Sequence, residues 1–232
     1  MSETDKSMSD PVPATWALLL DIDFAAMDGI QCYRDVAVEA LKGQGIDLSD
    51  GMFVRFLLTD GVEGGVKSLY AFLKKPESPA DTVEAIRTAF AGKLAATEPV
   101  AAVKALIKAA ETAGGTVVCV SSFGEEHTGK ILAALKLSDD TAVIEARQSD
   151  WGMYSADVWV RAMRMAGLPA RNCVAVAMHS KSGRSAMMAG LNIAVLATVL
   201  TEHMDFTGAD YVGDAASPKG TDAIVELVRP KA

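Results

Sequence analysis

The stretch Trp16-Ala17-Leu18-Leu19-Leu20-Asp21-Ile22-Asp23 decides the fold. Its apolar residues run on without alternation and stop at two acids. A strand carries such a run when both of its faces are covered, as at the centre of a parallel sheet. Val117-Val118-Cys119-Val120 repeats the pattern, opened by Gly114-Gly115 and ended by Ser121-Ser122. Cys173-Val174-Ala175-Val176-Ala177 and Ile193-Ala194-Val195-Leu196 repeat it again, and Tyr211-Val212 is a shorter fifth. Helical spacing fills the intervals. Val100, Val103, Leu106, Ile107 and Ala110 form one stripe, with Gly114 as its stop. Glu125 to Leu135 is a second helix, and Ser122, three residues before Glu125, predicts a capping box. Val158, Trp159, Ala162, Met165 and Ala166 trace a third, and Ser185 to Ala189 a short fourth stopped by Gly190. Strands alternating with helices specify an α/β fold with a parallel sheet covered on both faces.

The segment from 29 to 97 breaks this alternation. Val36, Ala37, Ala40 and Leu41, then Val66, Leu69, Tyr70 and Phe72, then Val83, Ile86, Phe90 and Leu94 are helical stripes with no strand between them. The expected organisation is a core of residues 15–28 and 98–232, an inserted helical cap of residues 29–97, and a flexible tail of residues 1–14. Asp60-Gly61-Val62-Glu63-Gly64-Gly65 and the Pro76 to Pro79 region read as loops within the insertion. Ligands of open parallel sheets bind beyond the carboxyl ends of the strands, so an insertion leaving the first strand there would roof the site.

Composition narrows the function. The chain has 232 residues, 30 acidic and 22 basic side chains, and a formal net charge of -8. That balance argues against a nucleic-acid partner, because a phosphate backbone demands a surplus of Lys and Arg. The three cysteines, Cys32, Cys119 and Cys173, are widely spaced and read as reduced core residues. Met1 to Pro13 lacks the basic start and apolar run of a secretory signal, and the longest apolar run, Leu191 to Leu200, is about half a membrane span. A cytoplasmic protein with no membrane contact is expected.

Asp21 and Asp23 are the first candidates for chemistry. At a period of two, their carboxylates leave the strand on one side, where a nucleophile and an acid–base partner would share a substrate. Aspartates also close strands as turn residues, and spacing alone does not separate the two readings.

The wider context does. Leu18-Leu19-Leu20-Asp21-Ile22-Asp23, Asp28 five residues on, and a helical cap resemble the haloacid dehalogenase superfamily of phosphotransferases over nearly the whole chain, about residues 15 to 228. Arg34-Asp35 and Gly45-Ile46-Asp47-Leu48 look like the β-phosphoglucomutase branch with its helical cap. The run from Asp205 to Val212 is similar to a segment of that branch's sugar-bisphosphate phosphatases. The resemblance implies a Rossmann-like core, a magnesium cofactor, Asp21 as nucleophile and Asp23 as acid–base. It gives Ser121, with Ser122 beside it, the task of holding the transferring phosphoryl group.

Other positions depart from the family pattern. Phe24 and Ala25 stand where the family has Gly and Thr. Met153, in Met153-Tyr154-Ser155-Ala156-Asp157, stands at the family's lysine, with Arg147 upstream as a substitute. Ala177-Met178-His179 replaces the Glu-Asp-Ser run that ends the next strand and supplies magnesium ligands. Phosphoryl transfer to a carboxylate brings two anions together, so it depends on cations. One opposite charge at contact is worth about 4 kcal/mol at an effective dielectric near 20, and about 1.4 kcal/mol is tenfold in rate. Magnesium would be left with Asp21, Asp23 and a main-chain carbonyl, so weak or lost binding is expected. Phe24, Met153, Tyr154 and Met178 are expected to converge as apolar filling of the former phosphate pocket.

His179-Ser180-Lys181-Ser182-Gly183-Arg184 reads as a solvated loop that lacks the glycine spacing of a P-loop, with Lys181 as a second substitute for the missing lysine. His127 and His203 complete no ligand set. Three functions compete: an impaired family member with a binding or regulatory role towards a small phosphorylated ligand or a protein partner, an unconventional phosphohydrolase using Asp21, and a binder of apolar ligands.

Overall fold

The computed structural model describes residues 14–146, 153–214 and 218–228. Six parallel strands form one sheet in the order β3-β2-β1-β4-β5-β6. They are β1 (Ala17–Asp21), β2 (Thr116–Ser121), β3 (Ala142–Glu145), β4 (Cys173–Ala177), β5 (Asn192–Ala197) and β6 (Tyr211–Asp214). The strand read first from the sequence lies at the centre. Leu19 is in register with Val118 of β2 on one side and with Ala175 of β4 on the other. The chain builds outward from β1 to β3, then returns to β4 on the opposite flank. The end of β1 is therefore the switch point at which an open α/β sheet leaves a crevice.

Side chains alternate across the sheet. Leu18, Leu20, Val117, Cys119, Val174 and Val176 belong to one apolar cluster, together with Val103, Leu106 and Ile107 of α5 (Ala101–Thr112) and Ile224 of α9 (Pro218–Glu226). Ala17, Leu19, Val118, Val120, Ala175 and Ile193 belong to the other, with Val158, Trp159 and Ala162 of α7 (Ala156–Ala166) and Ala186 of α8 (Ser180–Met188). The remaining helix of this layer pattern is α6 (Glu125–Leu135). No helix among the described residues is long and apolar enough to cross a membrane.

Between β1 and α5 the described elements are all helical: α1 (Gly29–Lys42), the single turn α2 (Asp50–Met52), a π-helical turn Phe53–Leu58, α3 (Thr59–Phe72) and α4 (Ala80–Ala95). The insertion leaves and returns at one place, because the Val100 N–H donates to the Ala26 carbonyl at 2.8 Å. Phe90 of α4 packs on Phe24 and on Phe123, with ring centroids 5.5 and 5.6 Å apart. Those two residues follow β1 and β2, so the insertion lies against the carboxyl ends of the central strands.

Four local expectations are corrected. Strand β3 is short, with only Ile144 fully buried, and flanking charges masked it in the sequence. The glycine-rich run 60–65 is not a loop but part of α3, interrupted only at Gly61, whose φ of 75° takes it off the helical path. Ser122 does not cap α6: its N-cap is Gly124, with no side-chain cap. The fourth core helix begins at Ser180 rather than Ser185.

The turn after β1 constrains one position tightly. Asp28 adopts the left-handed region at φ 51°, which a short polar side chain tolerates, and α1 starts at Gly29. A Cβ at Gly29 would stand 2.2 Å from the Asp23 carbonyl oxygen. Gly29→Ala is therefore expected to cost about 2 kcal/mol or more. A urea midpoint unchanged from the parent would contradict this packing.

Candidate functional site

β1 ends at Asp21, and the turn that follows carries Asp23 back over the strand ends. Two hydrogen bonds tie this turn to the Asp21 side chain: the Asp23 and Phe24 N–H groups donate to Asp21 Oδ1 at 3.1 and 3.0 Å. The Asp23 carboxylate faces the end of β2. Ser121 Oγ donates to its Oδ1 at 2.8 Å, and the Ser122 N–H donates to its Oδ2 at 2.6 Å. Ser121 Oγ in turn accepts from the Phe123 N–H at 3.1 Å and meets Thr128 Oγ1 at 3.3 Å. The donors assigned to a phosphoryl group, Ser121 and Ser122, are thus engaged with the chain's own Asp23 anion.

The fifth member is Tyr154, just before α7. Its hydroxyl lies 3.2 Å from both Asp21 Oδ1 and Asp23 Oδ2. A phenol has one proton to donate, so it bridges the two carboxyls by serving one at a time. The ring is fixed by an edge-on contact with Trp159 at 5.7 Å and by Ser185 Oγ, which donates to the Tyr154 carbonyl at 2.5 Å.

Asp21, Asp23 and Ser121 are wholly inaccessible to solvent, and Phe24, Ala25, Tyr154, Ala177 and Met178 are buried around or near them. Burial, then the neighbouring Asp23 charge, pushes the Asp21 carboxyl up to about 8. Burial also raises Asp23, to about 6, against the lowering pull of Ser122, Ser121 and Tyr154. The same burial, with both carboxylates nearby, raises the Tyr154 hydroxyl well above its ordinary value. Near neutral pH the pair carries a single negative charge, centred on Asp23, whose three donors reach both of its oxygens while the three on Asp21 all fall on Oδ1. Asp21 Oδ2 has no hydrogen-bond partner, a position far less costly for a neutral carboxyl than for an anion.

The site residues expected from sequence fall into three groups. Asp21, Asp23, Ser121 and Ser122 come together. Phe24, Ala25 and Met178 share the apolar cluster on the insertion side of the sheet, and Tyr154 and Ala177 lie in the opposite one. Met153 is only half-buried, and Tyr154, one residue on, meets the acids. Tyr154 therefore acts through its hydroxyl rather than as apolar filling. Arg147 lies outside the described residues.

The fourth-motif region also departs from expectation. His179 is buried at the N-cap of α8, not in a solvated loop. Lys181 Nζ donates to the Thr59 carbonyl and does not approach Asp21. Arg184 pairs with Asp205 at 2.5 Å.

This donor set does not suit a magnesium ion, which demands carboxylate and water oxygens in a near-ideal octahedron. Here one carboxyl oxygen is uncommitted, the adjoining strand end offers Ala177 and Met178, and no water can reach the acids without movement. Among the described residues no group of three or more His, Cys, Asp or Glu could hold a metal.

No family model and no curated protein matches the chain by sequence. Solved structures do. CbbY from Rhodobacter sphaeroides in complex with phosphate is 21% identical, with a TM-score of 0.67 over 90% of this chain and 99% of that one. A haloacid dehalogenase family hydrolase from Deinococcus radiodurans, with bound phosphate and sodium, is 19% identical, with a TM-score of 0.67 over 96% and 100%. A β-phosphoglucomutase from Clostridium difficile is 13% identical, with a TM-score of 0.67 over 91% and 96%. The chain shares the fold of these haloacid dehalogenase-type structures.

The buried carboxyls set a pH dependence. Asp21 keeps its proton in the folded state to about 8 but loses it near 3.8 when unfolded, so stability falls as pH rises through that window. His179 works the other way: burial holds it neutral down to about 4 against an ordinary 6.5, so its contribution rises with pH over that span. Above pH 6.5 the Asp21 effect outweighs the opposing remainder from His179, and Asp23 is already mostly ionised. Urea unfolding is expected to show stability falling by up to about 1.4 kcal/mol per pH unit from pH 6.5 to 8. Asp21→Asn should flatten that decline, and an equal slope in the variant would contradict the raised carboxyl.

Proposed function

We propose that the chain is a haloacid dehalogenase-fold protein impaired in metal-dependent phosphoryl transfer, with a binding or regulatory role towards a small phosphorylated ligand or a protein partner. One observation carries this reading: Asp21, at the nucleophile position, is fully buried, bridged to Asp23 by the Tyr154 hydroxyl, and held protonated near neutral pH. A nucleophile needs its lone pair free and its substrate at contact distance. Here the carboxyl is neutral, its Oδ1 is occupied by two backbone N–H groups, and the space in front holds a phenol.

The missing cations support the same reading. The described surroundings of the pair present no Lys or Arg, and the positions expected to bring magnesium are Ala177 and Met178. A second anion brought there would meet Asp23 uncompensated. The phosphate bound to CbbY makes a phosphorylated small molecule the first ligand class to examine.

The convergence of Asp21, Asp23 and Ser121 favours a second reading, a phosphohydrolase with an unconventional cation arrangement that works only after the site opens. Hydrolysis of an aryl phosphate and a panel of sugar phosphates, with and without magnesium, separates the two. The expected result is no magnesium-stimulated turnover above that of Asp21→Asn. Stimulated turnover abolished by that substitution would establish the second reading and overturn the first.

A further inference from the structure

We propose that the first turn of α8 latches the helical insertion onto the core and so governs access to the Asp21–Asp23 pair. The inference goes beyond the proposed function: it assigns a conformational task to His179 and Lys181 whether or not the pair is catalytic.

The latch is built where the insertion's helical path changes. The π-helical turn ends at Leu58, α3 starts at Thr59, and Gly61, at φ 75° and ψ -177°, breaks the helix two residues later. A break there interrupts the ladder in which the Leu58 and Thr59 carbonyls would find helical partners. Both carbonyls accept from the core. His179 Nε2 lies 2.5 Å from the Leu58 oxygen, and Lys181 Nζ donates to the Thr59 oxygen. The donors stand two residues apart at the start of α8, and the acceptors are adjacent.

The histidine is arranged for this bond. Its Nδ1 accepts from the Lys181 N–H at 3.1 Å, which leaves the proton of a neutral ring on Nε2, facing Leu58. The ring is buried, so loss of the bond would strand a polar group on each side of the contact. Lys181 is exposed and has water as an alternative, which makes it the weaker half.

The latch lies apart from the other ties between insertion and core. Two of these are the crossing at Ala26 and Val100, where the insertion begins and ends, and the stacking of Phe90 on Phe24 and Phe123. With the crossing fixed by chain connectivity, opening the insertion requires the latch to release along with the aromatic contact and the apolar packing of this cluster. The turn uncovered is the one in which Asp23 and Phe24 bond to Asp21.

Hydrogen exchange followed by mass spectrometry on the full chain tests this, with Lys181→Met and His179→Ala compared with the parent. Exchange over residues 53–62 and over residues 22–25 is expected to quicken about tenfold in at least one variant, while β2 and β5 stay as protected as in the parent. Lys181→Met removes only an exposed head group, so it carries the test alone if His179→Ala does not fold. Unchanged exchange at 53–62 in the folded variants would overturn the latch. Faster exchange confined to 53–62, with 22–25 still protected, would overturn its control of the acidic pair.

Discussion

Taking a carboxyl pair out of water is among the costlier things a protein does, and here no Lys or Arg among the described residues stands beside the two acids. Asp21 and Asp23 are fully buried, and Tyr154 stands 3.2 Å from both. The cost is tolerable only if the pair keeps a proton and if the remaining charge is fully hydrogen-bonded. Both conditions are met by neighbours in the fold. The turn after β1 gives Asp21 two N–H donors, and the end of β2 gives Asp23 the Ser121 hydroxyl and the Ser122 N–H. Each element around the site either supplies one of these donors or keeps water from the acids.

The same constraint ties the sheet to the insertion. Parallel strands place β1, β2 and β4 with their carboxyl ends together, so the acids, the serines and the start of α8 converge without long loops. The aromatic contact of Phe90 with Phe24 and Phe123 closes the crevice from above. In this chain the anion at the β2 end is the side chain of Asp23.

Much of this was legible in the sequence, because a continuous apolar run closed by acid or serine fits little except a strand buried on both faces. β1 and β2 announce themselves in that way and β4 and β5 by their apolar runs alone, and Asp21, Asp23 and Ser121 follow from the ends of the first two. What was illegible depends on neighbours that a sequence does not place. Only Ile144 of β3 is fully buried, so its apolar signal is short and diluted by acids on either side. Glycines 64 and 65 look like a loop but stay helical, and Gly65 does so against Leu57, whose Cα lies 2.6 Å from where a Cβ would be. Tyr154 and Met153 differ by one position in a motif that had lost its prolines, and only the chain's path shows which side chain reaches the acids. His179 sits among Ser, Lys and Arg, a solvated composition, yet it is buried because Leu58 arrives from 121 residues away.

The proposed impairment rests on an acidic pair that is buried and hydrogen-bonded from within except at Asp21 Oδ2, a poor donor set for a magnesium ion. Calorimetric titration of magnesium into the full-length protein near neutral pH tests this most directly. No saturable heat is predicted through the millimolar range, with the same trace for Asp21→Asn. One-to-one binding that disappears in Asp21→Asn would contradict it.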